Sequence, residues 1–303
     1  MSFARLQERI NELKNPTVVG LDPDLSHIPS HILDKHIAEN GETLEAASLA
    51  VVEFNAGLID ALCDIVPAVK PQSAFYEALG PYGILALSKT IDYARANGMY
   101  VILDGKRNDI GSTAEAYSAA YLGTTKVGET EHIPFYADAL TINVYLGSDG
   151  LKPFIENAVK YDRAMFALVK TSNPSAGELQ DKKVGEDTVY TIVGDLIENI
   201  SRDTVDKFGY TCVGAVVGAT YPQELEFLRK RLKHTFFLVP GYGAQGGSAA
   251  EAAMAFDENG HGAIVNSSRG IIAAWKKQGG DYTTAAKEAA LSMREELRKV
   301  LYK

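Results

Sequence analysis

Eight short apolar runs alternate with helical patterns along the chain, and this alternation constrains the fold more than any other feature. The runs are almost continuously apolar, as expected for parallel strands that are buried on both faces. They read T-V-V-G-L-D, I-V-P-A-V-K, Y-V-I-L-D, A-D-A-L-T-I-N, A-M-F-A-L-V-K, C-V-G-A-V-V, F-F-L-V-P and G-A-I-V-N. Eight such units in 303 residues, with no Pro/Gly/Ser-rich linker between them, predict an α/β fold of one domain, a (β/α)8 barrel.

A doubly wound open sheet is the main alternative for the same alternation. Such a sheet usually has a glycine-rich turn after its first strand, whereas this chain has L-D-P-D there. The barrel is therefore favoured, as a single domain over residues 1–303. Apolar spacing predicts one helix before the first strand, at about residues 2–14, and another after the last strand, at about residues 282–302.

The net charge and the cysteines limit which binding partners and which cellular compartment are expected for this protein. A net charge of −9 argues against a broad surface for nucleic acid or for an anionic membrane. Cys63 and Cys212 lie in apolar surroundings without metal-ligand spacing, so both are interpreted as reduced core residues. The N-terminus lacks the apolar core of a signal peptide, and no run is long enough to span a bilayer. A soluble cytoplasmic protein is expected.

Two segments between the predicted elements need an explanation. His27, His31 and His36 suggest a metal site, but no carboxylate or cysteine pattern accompanies them, which favours a surface loop or a short helix. Residues Thr171–Asp187 form a long polar stretch. A loop of this length in a compact domain is usually functional or mobile.

The stretch Tyr100–Thr113 carries the densest charge, since Asp104, Lys106 and Asp109 end an apolar run just before a helix predicted from Ser112. Alternate strand side chains share a face, so Asp104 and Lys106 should point the same way, with Asp109 close enough to reach the same ammonium. Buried charges are costly unless they pair. The stretch is therefore either an exposed ion pair or a built polar site.

In a barrel, polar residues at the C-terminal strand ends converge on one mouth, where such enzymes carry out their chemistry. The candidates are Asp22, Lys70, Asp104, Lys106, Asp109, Asn143 and Lys170. After the seventh strand, Ser248 and Glu251 have capping-box spacing behind a glycine-rich loop, and after the eighth, Arg269 begins a predicted helix. Backbone donors, a helix N-terminus and an arginine suit a phosphate dianion; the alternative is two glycine-rich turns with an exposed arginine.

Lys106 is better suited to donate a proton than to act as a nucleophile. A Schiff-base lysine needs a depressed pKa, whereas neighbouring carboxylates favour the protonated form. A charged ammonium can protonate and stabilise a carbanion that forms on a substrate. A divalent metal on Asp104 and Asp109 is the competing use of this stretch, and the intervening lysine disfavours it.

The chain resembles the orotidine 5′-monophosphate decarboxylase family, in particular its longer bacterial-type branch. The stretch D-G-K-R-N-D-I-G-S-T is similar to the D-x-K-x-x-D-I-x-x-T signature of that family. Further blocks match in order: L-D-P-D, V-K-P-Q-S-A-F-Y-E, V-K-T-S-N-P-S-A-G-E-L-Q, V-P-G-Y-G-A-Q-G-G and N-S-S-R-G-I. The resemblance extends from about Val18 to Ile272. It implies a homodimer of (β/α)8 barrels that releases carbon dioxide from orotidine 5′-monophosphate without metal or organic cofactor.

The resemblance also implies a role for each matching residue. Lys106 would protonate the ring carbon, Asp104 would sit beside the substrate carboxylate, and Lys70 would complete the charge network. Asp109 would act in the site of the neighbouring subunit. The implied substrate contacts are Asp22 and Thr113 to the ribose, Ser172 to the pyrimidine, and Gln245 and Arg269 to the phosphate. The long polar loop would help to cover the base.

Two alternative functions remain open at this level. One is a magnesium-dependent sugar-phosphate aldolase or epimerase on a related barrel with a similar D-x-K-x-x-D strand. The other is a phosphate-metabolite binding protein without catalysis. Turnover that survives chelation would count against the first, and nucleotide binding without turnover would indicate the second.

Overall fold

The computed structural model describes residues 2–243 and 246–302. Its barrel strands are β1 Thr17–Leu21, β2 Ala68–Pro71, β3 Tyr100–Arg107, β4 Ala139–Ile142, β5 Ala164–Lys170, β6 Val213–Val217, β7 Phe237–Val239 and β8 Ala263–Ser267. Each strand pairs in parallel with the next, and β8 pairs with β1, so the eight strands close on themselves. The prediction of a single-domain (β/α)8 barrel is confirmed, and the open sheet is excluded.

Helices follow the strands and surround the barrel. They are α1 Ser2–Leu13, α2 Ser30–Asn40, α3 Leu44–Leu62, α4 Ser73–Glu77, α5 Gly80–Ala96, α6 Gly111–Leu122, α7 Ser148–Lys160, α8 Val189–Ile200, α9 Pro222–Arg231, α10 Ala249–Ala253, α11 Arg269–Ile272, α12 Trp275–Gln278 and α13 Tyr282–Leu301. Within the described residues, no helix is both long and apolar enough to cross a membrane.

The core has two layers because each strand is buried on both faces. One buried cluster contains one face of the strands together with α1, and the other contains the opposite face and the surrounding helices. In the first layer, the ring of Phe3 stacks on Phe236 and packs against Phe166, with both centroid distances 4.9 Å. The apolar stripe of α1 therefore closes one end of the barrel.

A buried carboxylate lies at the N-terminal end of the barrel. Asp138, immediately before β4, accepts hydrogen bonds from Arg5 (3.0 Å), from Arg163 (3.3 Å) and from the backbone N–H of Val101 (2.9 Å). The Asp138 side chain is 4% exposed and that of Arg163 is 7% exposed. This end of the barrel thus holds a satisfied ion cluster without an opening to solvent at the carboxylate.

Two segments that looked irregular in sequence contain regular structure. The three histidines lie in a short 3₁₀ helix, Leu25–His27, and in α2, where the ring of His36 contacts Glu53 at 2.8 Å. No group of three or more metal-ligating side chains occurs in the described part of the chain. The long polar loop contains a 3₁₀ helix, Pro174–Glu178, and a small hairpin of Lys183–Val184 with Asp187–Thr188.

One local prediction needs correction. Cys212 is buried and free, as predicted, but Cys63 at the end of α3 is only half-buried. An antiparallel hairpin of Thr125–Val127 with Thr130–His132 was not predicted, since its exposed strands lack an apolar pattern.

Candidate active site

The C-terminal ends of the barrel strands surround a cavity of about 460 Å³. The residues that line it are Lys70, Asp104, Lys106, Thr141, Leu168, Thr171, Ser172, Asn173, Gln180, Val216, Leu238, Pro240 and Asn266. They come from β2 to β8 and from the loop after β5. Apolar walls with a few convergent polar groups are typical of a small-molecule site, and this end of a (β/α)8 barrel is where such sites occur.

A charge network lies in the wall of this cavity. The carboxylate of Asp104 accepts hydrogen bonds from the ammonium of Lys70 (2.8 Å), the ammonium of Lys106 (2.5 Å) and the hydroxyl of Thr141 (2.8 Å). The side chains of Asp104 and Lys70 are 10% and 6% exposed, whereas that of Lys106 is 46% exposed. Lys106 is therefore the ammonium of the pair that a ligand can reach most easily.

Burial and neighbouring charges shift the pKa values of Asp104 and Lys70 in opposite directions, and the neighbouring charges have the larger effect. Burial would raise the pKa of Asp104, but Lys70 and Lys106 hold that pKa well below its usual range. Burial would lower the pKa of Lys70, but the carboxylates of Asp104 and Asp22 keep that pKa above its usual value. Near neutral pH Asp104 is therefore ionised and Lys70 is protonated, so the two form an ion pair in the cavity wall.

The backbone at Lys106 is unusual. Its φ is +47°, in the left-handed region, and the register of β3 against β4 shifts between Leu103 and Arg107. The N–H of Lys106 donates to the hydroxyl of Thr141 at 2.9 Å, which fixes this turn of the chain. The predicted contact between Asp104 and Lys106 is confirmed, but an irregular strand end produces it rather than simple alternation.

Asp109 does not join the network within one chain. No ion pair connects its carboxylate to Lys106 among residues 2–243 and 246–302, contrary to the proximity predicted from sequence. The carboxylate accepts the N–H of Ile110 instead, at 2.8 Å, and the residue is partly exposed in the loop before α6. Asn143 is exposed and bonds within its own loop, at 3.1 Å to the N–H of Tyr145. The chain turns outward at both strand ends.

Lys170 also departs from the expected convergence. Its side chain is fully buried and lies outside the cavity lining, although Leu168, two residues earlier, lines the cavity. The pairing of β5 with β6 shifts register at this point, because Leu168 and Lys170 pair with the consecutive residues Val216 and Val217. The irregularity redirects the Lys170 side chain away from the mouth.

The other predicted site residues differ in where they lie. Ser172 lines the cavity, and Asp22 is partly buried at the end of β1, where its Oδ1 has no hydrogen-bond partner among the described residues. Thr113, in the first turn of α6, is exposed. Arg269, the first residue of α11, is exposed and forms no ion pair within the part of the chain that the structure describes. Gln245 lies outside the described residues.

The loop after β7 leads to α10, which has the predicted capping box. Ser248 accepts the N–H of Glu251 at 3.2 Å, and the carboxylate of Glu251 accepts the N–H of Ser248 at 2.7 Å. The N-terminus of α10 is thus already occupied by a carboxylate of its own. An anion that binds at these loops would instead contact Arg269 and the glycine-rich segment before Ser248.

Sequence reasoning missed several polar residues of the cavity wall. Thr141 and Asn266 each interrupt an apolar strand run near its end, and that interruption was a usable signal. Gln180 had no such signal. It reaches the wall because the loop after β5 folds back, so that its side-chain oxygen accepts the N–H of Thr171 at 2.9 Å.

Comparisons with known proteins agree with the geometry. The sequence model described as "Orotidine 5'-phosphate decarboxylase / HUMPS family" matches residues 31–280. A relative named orotidine 5′-phosphate decarboxylase, from Rhodopirellula baltica, is 44% identical over 98% of this chain and 99% of its own length. One of the same name from Caldicellulosiruptor saccharolyticus is 37% identical over 97% of this chain and 96% of its own. The solved structure of Leishmania donovani OMP decarboxylase superposes with a TM-score of 0.77 at 32% identity, covering 100% of this chain and 99% of that one.

Proposed function

The chain belongs to the orotidine 5′-phosphate decarboxylase / HUMPS family, and we propose that it converts orotidine 5′-monophosphate to uridine 5′-monophosphate and carbon dioxide. The observation that carries this proposal is the network of Lys70, Asp104 and Lys106 in the wall of the barrel mouth. It combines a buried carboxylate with an accessible ammonium, which are the groups that a decarboxylation followed by protonation needs.

The reaction breaks the bond between the ring carbon and the substrate carboxylate, and the electron pair stays on that carbon as carbon dioxide leaves. Lys106 then donates a proton to the carbon and is reprotonated from solvent. Its ammonium stabilises the developing negative charge before the proton moves. This electron pair lies in the plane of the pyrimidine ring and is not conjugated with the ring carbonyls, so the ammonium of Lys106 supplies its electrostatic stabilisation. The proposed step uses neither a metal nor an organic cofactor.

Asp104 and Lys70 prepare the site for this step. The carboxylate of Asp104 stays ionised because two ammonium groups contact it, so it would stand as a negative charge beside the substrate carboxylate. Repulsion between the two is relieved when carbon dioxide leaves. Lys70, which is buried, holds Asp104 in place and keeps the local charge balanced. Binding energy from the rest of the nucleotide offsets the unfavourable contact.

The remaining parts of the nucleotide have candidate partners around the mouth. Asp22 and Thr113 are proposed to bind the ribose, and one carboxylate oxygen of Asp22 has no hydrogen-bond partner among the described residues. Ser172 lines the cavity and is proposed to bind the pyrimidine. Gln245 and Arg269 are proposed to bind the phosphate; the exposed guanidinium of Arg269 supports this for its own part. A guanidinium can hold a phosphate through two hydrogen bonds.

The decisive experiment measures the loss of orotidine 5′-monophosphate absorbance by purified protein in EDTA. Turnover that persists after chelation is expected, and it would exclude a magnesium-dependent aldolase or epimerase as the main activity. If the protein binds uridine 5′-monophosphate but turns over no orotidine 5′-monophosphate, the decarboxylase proposal is wrong and a binding function takes its place.

We further propose a cytoplasmic homodimer in which Asp109 completes the site of the neighbouring subunit. Asp109 does not reach Lys106 in its own chain, and the loops beside it carry exposed apolar side chains. Ile110, Tyr145 and Leu146 are 55%, 80% and 47% exposed. Adjacent apolar groups of this size at the mouth suit a surface that a second copy covers. A phosphorylated nucleotide does not leave the cell readily, which favours the cytoplasm.

Mixed dimers test the role of Asp109. Lys106→Ala and Asp109→Ala homodimers should each be inactive, and a mixture with proven subunit exchange should regain activity, because one of its two sites has both groups. If exchange occurs and no activity returns, Asp109 does not act across the interface, while the decarboxylase proposal itself stays intact.

A further inference from the structure

Lys170 is a fully buried lysine that the proposed reaction does not use. Its Nζ contacts the carboxylate of Asp181, and the rings of Tyr221 and Tyr190 lie 4.4 Å and 5.3 Å from it, measured to their centroids. The Lys170 side chain is 0% exposed, whereas that of Asp181 is 44% exposed. The two rings favour a cation through their π faces, and the single carboxylate reaches it from the loop.

The same loop end is held at a second point. Gln180, the neighbour of Asp181, accepts the N–H of Thr171 at 2.9 Å and donates to the hydroxyl of Thr171 at 2.7 Å. Thr171 directly follows Lys170. The segment from residue 171 to residue 181 is therefore closed at its base by two adjacent pairs, one ionic and one hydrogen-bonded.

The closed segment supplies one side of the cavity. Thr171, Ser172, Asn173 and Gln180 all line it. Ser172 packs against Gly218, the residue after β6, where an added Cβ atom would lie 2.9 Å from the Cβ of Ser172. The position of these side chains thus depends on the base of the segment, and the ion pair lies within that base.

We propose that Asp181, held by the buried ammonium of Lys170, is a positioning residue that sets the wall of the substrate site formed by Thr171, Ser172 and Gln180. Neither Asp181 nor Lys170 lines the cavity, so both act through the segment. This inference rests on the proposed function only for its kinetic readout. The rings of Tyr190 and Tyr221 stabilise the buried ammonium of Lys170. The ion pair with Asp181 then fixes the end of the loop to that ammonium.

Asp181→Asn tests the proposal, because it removes the charge and keeps the volume. We expect KM for orotidine 5′-monophosphate to rise about tenfold while kcat changes less than about threefold, the pattern for loss of a group that orders the binding site. Hydrogen exchange of residues 171–182 should become faster. Asp181→Glu should restore most of the affinity, since it retains the carboxylate.

Two further variants separate positioning from a general loss of folding. Glu178→Gln neutralises an exposed carboxylate on the same segment that forms no ion pair among the described residues, so KM should stay unchanged. Lys170→Met places an apolar chain between the two tyrosines, and adding Asp181→Asn to it should then have no further effect.

The inference is overturned if Asp181→Asn leaves both KM and the exchange of residues 171–182 unchanged, or if its effect is equally large in the Lys170→Met background. A fall in kcat at constant KM would indicate loss of folded enzyme only, and would also count against it. Failure of the proposed function looks different: the wild-type protein would not turn over the substrate, while the exchange measurement would still report on the ion pair.

Discussion

The two ends of the barrel each hold a buried carboxylate with two cations, but they are built for different purposes. At the N-terminal end, Asp138 contacts Arg5 and Arg163. At the C-terminal end, Asp104 contacts Lys70 and Lys106. The count of charges is the same, so charge alone does not identify a site. What differs is the identity of the cations and the presence of a cavity beside one pair.

Arginine and lysine explain the difference. A guanidinium does not lose its proton in a protein, and its planar shape allows two hydrogen bonds to one carboxylate. It therefore suits a structural ion pair. An ammonium is a compact charge on a flexible stem and can transfer a proton. At the closed end, Asp138 also accepts the backbone N–H of Val101. At the open end, the corresponding third donor is the side chain of Thr141.

The largest effect is expected from Lys106→Ala, which removes the cation that faces the cavity. Turnover should fall by about 10⁴-fold or more, because proton donation and charge stabilisation are lost together. The loss of substrate absorbance measures this. Arg5→Ala is the matched control, since it removes one of the two cations at the other end and should leave kcat within about threefold. Equal losses in both variants would remove the distinction between the two ends.

Next in size is the effect of Asp138→Asn on stability. Arg163 would be left as a buried cation without its carboxylate, so the free energy of unfolding should fall by about 3 kcal/mol. Urea denaturation monitored by circular dichroism measures it. kcat and KM of the folded fraction should stay at wild-type values. A change in KM without a change in stability would show that the ion cluster at the N-terminal end affects substrate binding.

A smaller effect is expected from Thr141→Val, which keeps the shape of the side chain and removes the hydroxyl. Asp104 loses one donor and the N–H of Lys106 loses its acceptor. We expect kcat/KM to fall by about tenfold, the equivalent of about 1.4 kcal/mol. Thr141→Ser retains the hydroxyl and should keep most of the activity. If serine is as poor as valine, packing rather than hydrogen bonding explains the role of this residue.

The smallest effect concerns pH. The depressed pKa of Asp104 stabilises the fold at neutral pH, and this contribution is lost as pH falls below the ordinary Asp pKa of about 3.9 towards the folded-state value. At about pH 3 the stability advantage of wild type over Asp104→Asn should be about 1 kcal/mol smaller than at about pH 7. Denaturation curves at both pH values measure it. An advantage that grows in acid would contradict the direction of this pKa shift.

The sequence was sufficient for the barrel because eight buried strands leave continuous apolar runs. It also predicted the contact between Asp104 and Lys106, although the irregular end of β3, and not the assumed alternation, brings the two side chains together. Other irregular strand ends defeated the prediction. Lys170 was expected at the mouth and lies behind the wall, since a register shift in β5 has no signature in residue type. The position of Gln180 in the cavity wall depends on how the loop after β5 folds, and the spacing of apolar and polar residues does not predict that.

The left-handed backbone of Lys106 has a consequence for how such sites can be found and altered. A side chain at this φ costs of order 1 kcal/mol relative to glycine, so folding alone would favour another residue there. Redesign guided only by stability would replace the lysine and remove the proton donor that we propose. Conversely, in a barrel of unknown chemistry, a strand-end lysine whose backbone prefers glycine marks a position where selection for reactivity has outweighed selection for stability.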